Sequence, residues 1–188
     1  MFYVFNIKRL KKTAQHILIL AILVLSCRFV IMPQLFPQKY GDLVERYAEK
    51  YNLESSLVYG VIYTESKFRA DAISPKKAKG LMQITDGTGE WAARSLELVD
   101  YKKDSLFEPK ENIEIGCWYL NKLFNQFQGS IETALAAYNA GSGNVTKWLA
   151  DSAYSEDQKT LDTIPYPETK KYVKKVMVVQ KIYQMLYE

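Results

Sequence analysis

A chain of 188 residues, 48% hydrophobic and 13% aromatic, has material for one domain of about 100–150 residues and a short appendage, so most of it is expected to fold around a core. Six of the 25 basic residues and none of the 21 acidic ones lie within residues 1–41; the remainder carries 19 basic against 21 acidic, a net of −2, which gives no electrostatic reason to expect nucleic acid. The single histidine, His16, lies in the N-terminal segment, which excludes a Ser-His-Asp triad, a Cys-His dyad and a histidine-bearing zinc site from everything downstream. Any acid–base chemistry there falls to carboxylates, and no metal or organic cofactor is implied.

The chain opens on a basic tail, residues 1–12, ending in Lys8-Arg9-Leu10-Lys11-Lys12. Thr13 to Met32 comes next as a 20-residue apolar stretch, about the length a helix needs to cross the hydrocarbon core. Arg28 near its outer end is placed to snorkel to the headgroups. Basic residues just before the span put the N-terminus in the cytoplasm and the rest outside. Two other readings are open: a cleaved signal peptide, and lipid attachment at Cys27, because Leu23-Val24-Leu25-Ser26-Cys27 has a loose lipobox pattern. Each of them exports the remainder of the chain. Residues 33–39 read as a short linker with two prolines, and 40–188 as the domain.

Within that domain the periodicity is helical almost throughout. Leu43, Val44, Tyr47, Ala48 and Tyr51 form one apolar stripe; Leu57, Val58, Val61 and Ile62 form a second, with Ser55-Ser56 as its cap. Ile113, Cys117, Leu120, Phe124 and Phe127 make the clearest helix, which assigns Cys117 to the core. After a Gly129-Ser130 break come Ile131, Ala134, Leu135 and Tyr138, and the last helix shows Tyr172, Val176, Val179, Tyr183 and Leu186. Long loops are expected near 69–80 and 150–166. The pattern predicts a mainly α domain, with no run of period-2 alternation.

One charged residue falls on an apolar helix face. Glu65 lies three residues after Ile62 and four after Val61, near the end of its helix. Burial and the negative end of the helix dipole both oppose its ionisation, so its pKa is expected above the ordinary glutamate value, as a general acid near neutral pH requires. The alternative is that Glu65 turns outward and pairs with Lys67 or Arg69.

The surrounding motifs bear on that choice. Ser55 to Phe68 ends in Glu65-Ser66-Lys67-Phe68; Ser74-Pro75 comes after it, then Ala78-Lys79-Gly80-Leu81-Met82-Gln83-Ile84. A third block is Ala136-Ala137-Tyr138-Asn139-Ala140-Gly141-Ser142-Gly143-Asn144-Val145, and a fourth runs from Ile164-Pro165-Tyr166-Pro167-Glu168 through Tyr172-Val173. In this order the blocks resemble the soluble lytic transglycosylase (SLT) domain family. The resemblance implies a lysozyme-like, goose-type single domain acting on peptidoglycan at the β-1,4 bond between N-acetylmuramic acid and N-acetylglucosamine. By the same resemblance Glu65 is the catalytic acid and then base. Ser74 lies beside the reacting sugar, Met82 and Gln83 line the cleft, Tyr138 and Asn139 face the carboxylate, and Glu168 and Tyr172 close the groove. The chain departs from the family pattern at Lys79, a position often small or apolar, and at Thr85-Asp86-Gly87, which replaces a commoner proline-containing turn.

A single carboxylate suffices when no water attacks: the sugar's own C6 hydroxyl closes onto C1 as a 1,6-anhydro ring. A hydrolase of goose-type lysozyme kind would need a second carboxylate, for which Asp71 and Asp86 are the nearest candidates, although both read more simply as parts of solvated turns. A wall-binding protein without activity is the third alternative. Trp91 is placed to stack on sugars, with Trp118 and Trp148 assigned to the core. Glycan strands and the membrane are the expected partners, and the protein is expected to be a monomer.

Overall fold

The computed structural model describes residues 7–188, so the first half of the expected basic tail lies outside the described residues. Helix α1 spans Ile7–Ser26 and passes without a break into a π-helical turn, Cys27–Ile31, and a last turn α2, Met32–Leu35. The stretch Lys11–Leu35 is long and apolar enough to cross a membrane, and none of its apolar run is buried against protein. The helix therefore runs three residues past the expected end at Met32, through Pro33. A proline lacks the N–H and its ring crowds the carbonyl four residues back. The π turn relieves that crowding by wider bonds, among them Met32 N–H to the Cys27 carbonyl.

The remaining helices are α3 (Gly41–Lys50), α4 (Ser55–Glu65), α5 (Asp86–Ser95), α6 (Pro109–Gln126), α7 (Ile131–Ala140), α8 (Ser142–Leu149) and α9 (Pro167–Tyr187), with a 3-10 turn at Lys103–Phe107. Among the described residues there is no strand, only isolated bridges from Lys79 to Ile73 and Ile84. The expected stripes form the core: Val44, Tyr47 and Ala48 of α3, Ile113, Cys117 and Leu120 of α6, and Tyr172, Val176, Val179, Tyr183 and Leu186 of α9 are all buried.

Helix α4 is the axis of the domain. Every residue from Ser56 to Ile62 is buried, as expected of a helix that is apolar on all sides. Its closest neighbour is α9, which crosses at Gly60: a β-carbon there would come to 3.0 Å from the Val176 carbonyl and 3.3 Å from the Gln180 nitrogen. The absent side chain at 60 sets how near the two backbones approach. Glu54, just ahead of α4, accepts hydrogen bonds from the side-chain amides of Gln180 (2.8 Å) and Gln184 (2.9 Å), which fixes the rotation of α9 about the crossing. α4 ends at Glu65, so this packing decides what that carboxyl meets.

Candidate active site

Glu65 is the last residue of α4 and is half-buried. Burial pushes its carboxyl from an ordinary 4.5 up to about 7, against smaller opposing effects from the Tyr172 hydroxyl and the Lys175 charge. Neither expected outward partner holds it. Lys67 is exposed, and Arg69 donates through Nε to the Ser66 carbonyl at 3.2 Å. The cation felt by Glu65 comes instead from α9.

Two tyrosines flank the carboxyl, one from α7 and one from α9. Burial first, and then the Glu65 charge, push the hydroxyls of Tyr138 and Tyr172 well above their ordinary value. Tyr138 donates its proton to the Met82 carbonyl at 2.8 Å, which leaves the lone pairs of its oxygen for whatever stands before Glu65. The buried Tyr172 hydroxyl has no hydrogen bond of standard geometry elsewhere and lowers the Glu65 pKa by its proximity. Its proton is available to the ionised carboxylate. The two hydroxyls thus present opposite polarity to the site, an acceptor on one side and a donor on the other.

The loop 66–85 joins this group through the Met82 carbonyl. At Gly80 φ is +76°, in the left-handed region, and a β-carbon would collide with the Leu106 carbonyl and the Asn112 side chain, so position 80 admits only glycine. Asn112, on the first turn of α6 and fully buried, holds this loop. It donates to the carbonyls of Lys79 (2.9 Å) and Leu106 (2.7 Å) and accepts from the Met82 N–H (2.7 Å). Gln83, also at positive φ, donates from Nε2 to the carbonyls of Ala72 (3.1 Å) and Gly80 (2.9 Å). Ser74 Oγ accepts from the Ala78 N–H at 3.0 Å, closing the preceding turn and leaving the hydroxyl proton unspent.

Glu65, Tyr138 and Tyr172 are thus brought together, and the loop that carries Ser74 and Gln83 meets them at the Met82 carbonyl. Met82 differs from expectation: its side chain is fully buried in the core against Gly116, and only its carbonyl serves the site, through Tyr138. Asn139 accepts from the Thr169 hydroxyl at 2.8 Å, tying the end of α7 to the start of α9. Glu168, the neighbour of Thr169, is exposed on the first turn of α9. Of the other carboxylates considered, Asp71 is exposed and Asp86 is engaged by Lys79 at 2.9 Å. Trp91 is 43% exposed and meets Trp118 edge-on at 4.7 Å, while Trp118 and Trp148 are buried. A separate trough of about 370 Å³ lies between α9 and the loop before it, lined by Leu161, Ile164 and Met177, and does not include Glu65.

Comparison with known proteins bears directly on this arrangement. The family model described as the transglycosylase SLT domain matches residues 42–161. The chain belongs to that family. Relatives of this SLT domain include the soluble lytic murein transglycosylase of Salmonella typhimurium, 37% identical over 79% of this chain and 23% of that protein. Membrane-bound lytic murein transglycosylase C of Yersinia enterocolitica is 33% identical over 78% of this chain and 47% of its own length. Among solved structures, an inactive Glu-to-Gln variant of the lytic transglycosylase Slt from Pseudomonas aeruginosa superposes with a TM-score of 0.72 at 34% identity, covering 80% of this chain and 25% of that one. The chain spans a quarter to a half of the length of these relatives.

Against the SLT pattern, the two departures seen in the sequence are one feature. Lys79 and Asp86 form an ion pair with each other, Lys79 Nζ reaching Asp104 as well at 3.7 Å. The basic residue in the Gly-Leu-Met-Gln block and the acidic residue in the turn after it compensate across the base of the loop. Asn112 and Thr169 are the residues that sequence reasoning passed over. Asn112 stands immediately before Ile113 of the clearest apolar stripe, and a polar residue at that junction was the available signal.

Proposed function

We propose that this chain is a membrane-anchored peptidoglycan lytic transglycosylase that cleaves the β-1,4 bond between N-acetylmuramic acid and N-acetylglucosamine and leaves a 1,6-anhydro-N-acetylmuramic acid end. The observation that carries the proposal is the condition of Glu65. With a pKa near 7 and no other carboxylate contributing to that shift, it is suited to give a proton and take one back at neutral pH. The names of the relatives, and the inactive Glu-to-Gln variant of the Pseudomonas protein, support the same assignment.

In this reading protonated Glu65 donates to the glycosidic oxygen, and the bonding pair leaves with that oxygen. The resulting carboxylate, steadied by the Tyr172 hydroxyl, takes the proton of the C6 hydroxyl as its oxygen bonds to C1. No water enters, and Glu65 ends protonated as it began. Positive charge developing at C1 meets the Tyr138 oxygen, whose proton is committed to Met82, together with the substrate's own acetamido group. Ser74 and Gln83 bound the cleft, while Asn139, Thr169 and Glu168 border it where the end of α7 meets the start of α9. The apolar helix is retained as a single span, the N-terminus is cytoplasmic, and residues 40–188 act outside the membrane as a monomer.

Digestion of purified peptidoglycan, with mass spectrometry of the released muropeptides, tests the proposal. Fragments one water lighter than those of a muramidase are expected, and Glu65→Gln should reduce their rate of release by about a thousandfold. Reducing-end products would mean that water attacks and would send the search for a second carboxylate to Asp71 and Asp86. No release at all would favour a wall-binding role.

A further inference from the structure

The segment joining the apolar helix to the domain is fastened by three sets of contacts to the end of α9 and to Tyr63 of α4. Arg28 donates from Nη2 to the carbonyls of Met185 (3.1 Å) and Leu186 (2.7 Å), setting a positive charge at the negative end of α9. The Phe36 ring stacks on Tyr63 at 5.0 Å and meets Tyr183 edge-on at 6.1 Å. The carbonyls of Phe36 and Pro37 accept from the hydroxyls of Tyr187 (2.7 Å) and Tyr183 (2.9 Å). The expected short linker is therefore docked on the domain, and the guanidinium expected to reach lipid headgroups is spent in part on α9.

This clamp fixes a height. Measured from Lys11 at about 1.5 Å per residue, Arg28 lies roughly 25 Å along the helix, against a hydrocarbon core about 30 Å thick. Arg28 thus stands about 5 Å inside the outer edge of that core, and the exposed apolar residues Phe29, Val30 and Ile31 carry the helix the rest of the way. Whatever Arg28 touches shares that depth. Its contact is the C-terminal turn of α9, from which Met185 projects 70% exposed. Lys181 is exposed one turn back, and the partly exposed rings of Phe36, Tyr63 and Tyr187 sit beside the clamp, packed around the buried Tyr183. An apolar tip, a cation and amphipathic rings at one level are what the membrane–water interface accommodates.

We propose that the C-terminal turn of α9 is a lipid-binding foot: Met185 enters the headgroup layer of the membrane in which the helix is anchored, and the domain rests on that surface instead of swinging above it. The proposal rests on the reading of the apolar helix as a retained span. The full chain, reconstituted in liposomes of mixed phosphatidylcholine and phosphatidylglycerol, provides the test. A nitroxide is attached through Met185→Cys in a Cys27→Ala background, with Cys117 left in place because it is buried. Control labels go at Leu25→Cys, within the span, and at Lys147→Cys, exposed on α8.

Collisions with oxygen, which concentrates in lipid, are compared with collisions with a water-soluble nickel chelate. The label at 185 should give a ratio between those of the two controls. Adding Arg28→Gln should shift it toward the value at 147 without moving the value at 25. A label at 185 indistinguishable from that at 147 in the unaltered clamp would overturn the foot while leaving the span standing. An aqueous signal at 25 would remove the span and the foot together.

Discussion

Replacing Glu65 by glutamine should stabilise the protein, and by an amount that depends on pH in a defined way. Below pH 4.5 the carboxyl is protonated in the folded and unfolded chain alike and costs nothing. As pH rises from 4.5 toward 7, the unfolded chain releases this proton while the folded chain keeps it; each pH unit then removes about 1.4 kcal/mol of stability. Above pH 7 both states are ionised and the folded chain carries the whole penalty, about 3 kcal/mol. Glutamine never ionises, so the variant escapes it. Contacts altered by the substitution itself contribute equally at every pH and cancel when the difference between the two proteins is followed across pH. Thermal unfolding by near-ultraviolet circular dichroism, on the full chain in detergent at intervals from pH 4 to 9, reads this directly. For a chain of this size the lead of Glu65→Gln in Tm should widen by roughly 6–12 °C between pH 4.5 and 8. A lead that stays constant with pH would show that Glu65 is solvated like a surface glutamate, and the argument from its buried position would fail.

Other consequences can be checked in the same material. The rate of glycan cleavage should decline as pH rises through about 7, where Glu65 loses its proton; a profile flat to high pH would remove Glu65 as the acid. Asn112→Ala should cost about 3 kcal/mol or more in urea unfolding, because it strands the Lys79 and Leu106 carbonyls and the Met82 N–H in a buried place. Protection of loop amides 78–84 from hydrogen exchange should fall with it. Lys79→Asp and Asp86→Lys should each lower activity, and the double exchange should recover part of the loss; equal damage from the single and double variants would argue against their pairing.

How far the site was legible depended on what kind of packing each residue has. Helices α3 and α9 have one apolar and one polar face, and their spacing alone placed their core residues; α6 is buried at every position from Asn112 to Trp118, and its spacing found only part of its core. α4 has no polar face, so periodicity could not say which way Glu65 points; its burial follows from the crossing with α9 at Gly60, a contact between residues more than a hundred positions apart. Met82 carries the right name in the motif for a reason composition does not reveal, since its carbonyl serves the site while its side chain fills the space over Gly116. The Lys79–Asp86 pair looked like two unrelated departures because ion pairing between loop residues leaves no period in the chain. Asn112 and Arg28 both act through backbone carbonyls, and an acceptor on the main chain has no identity in the sequence.

The burial of α4 also bears on time. The central run of this helix, Ser56 to Ile62, is covered on every side and cannot fray into solvent piecemeal, and those amides should exchange with water only when the whole domain opens. The half-buried carboxyl at its end is then held in place by the resting fold and does not wait for a ligand or a moving lid to position it. Proton affinity at Glu65 should accordingly be the same before each encounter as after it, so that successive turnovers begin from one state without a slow resetting step between them.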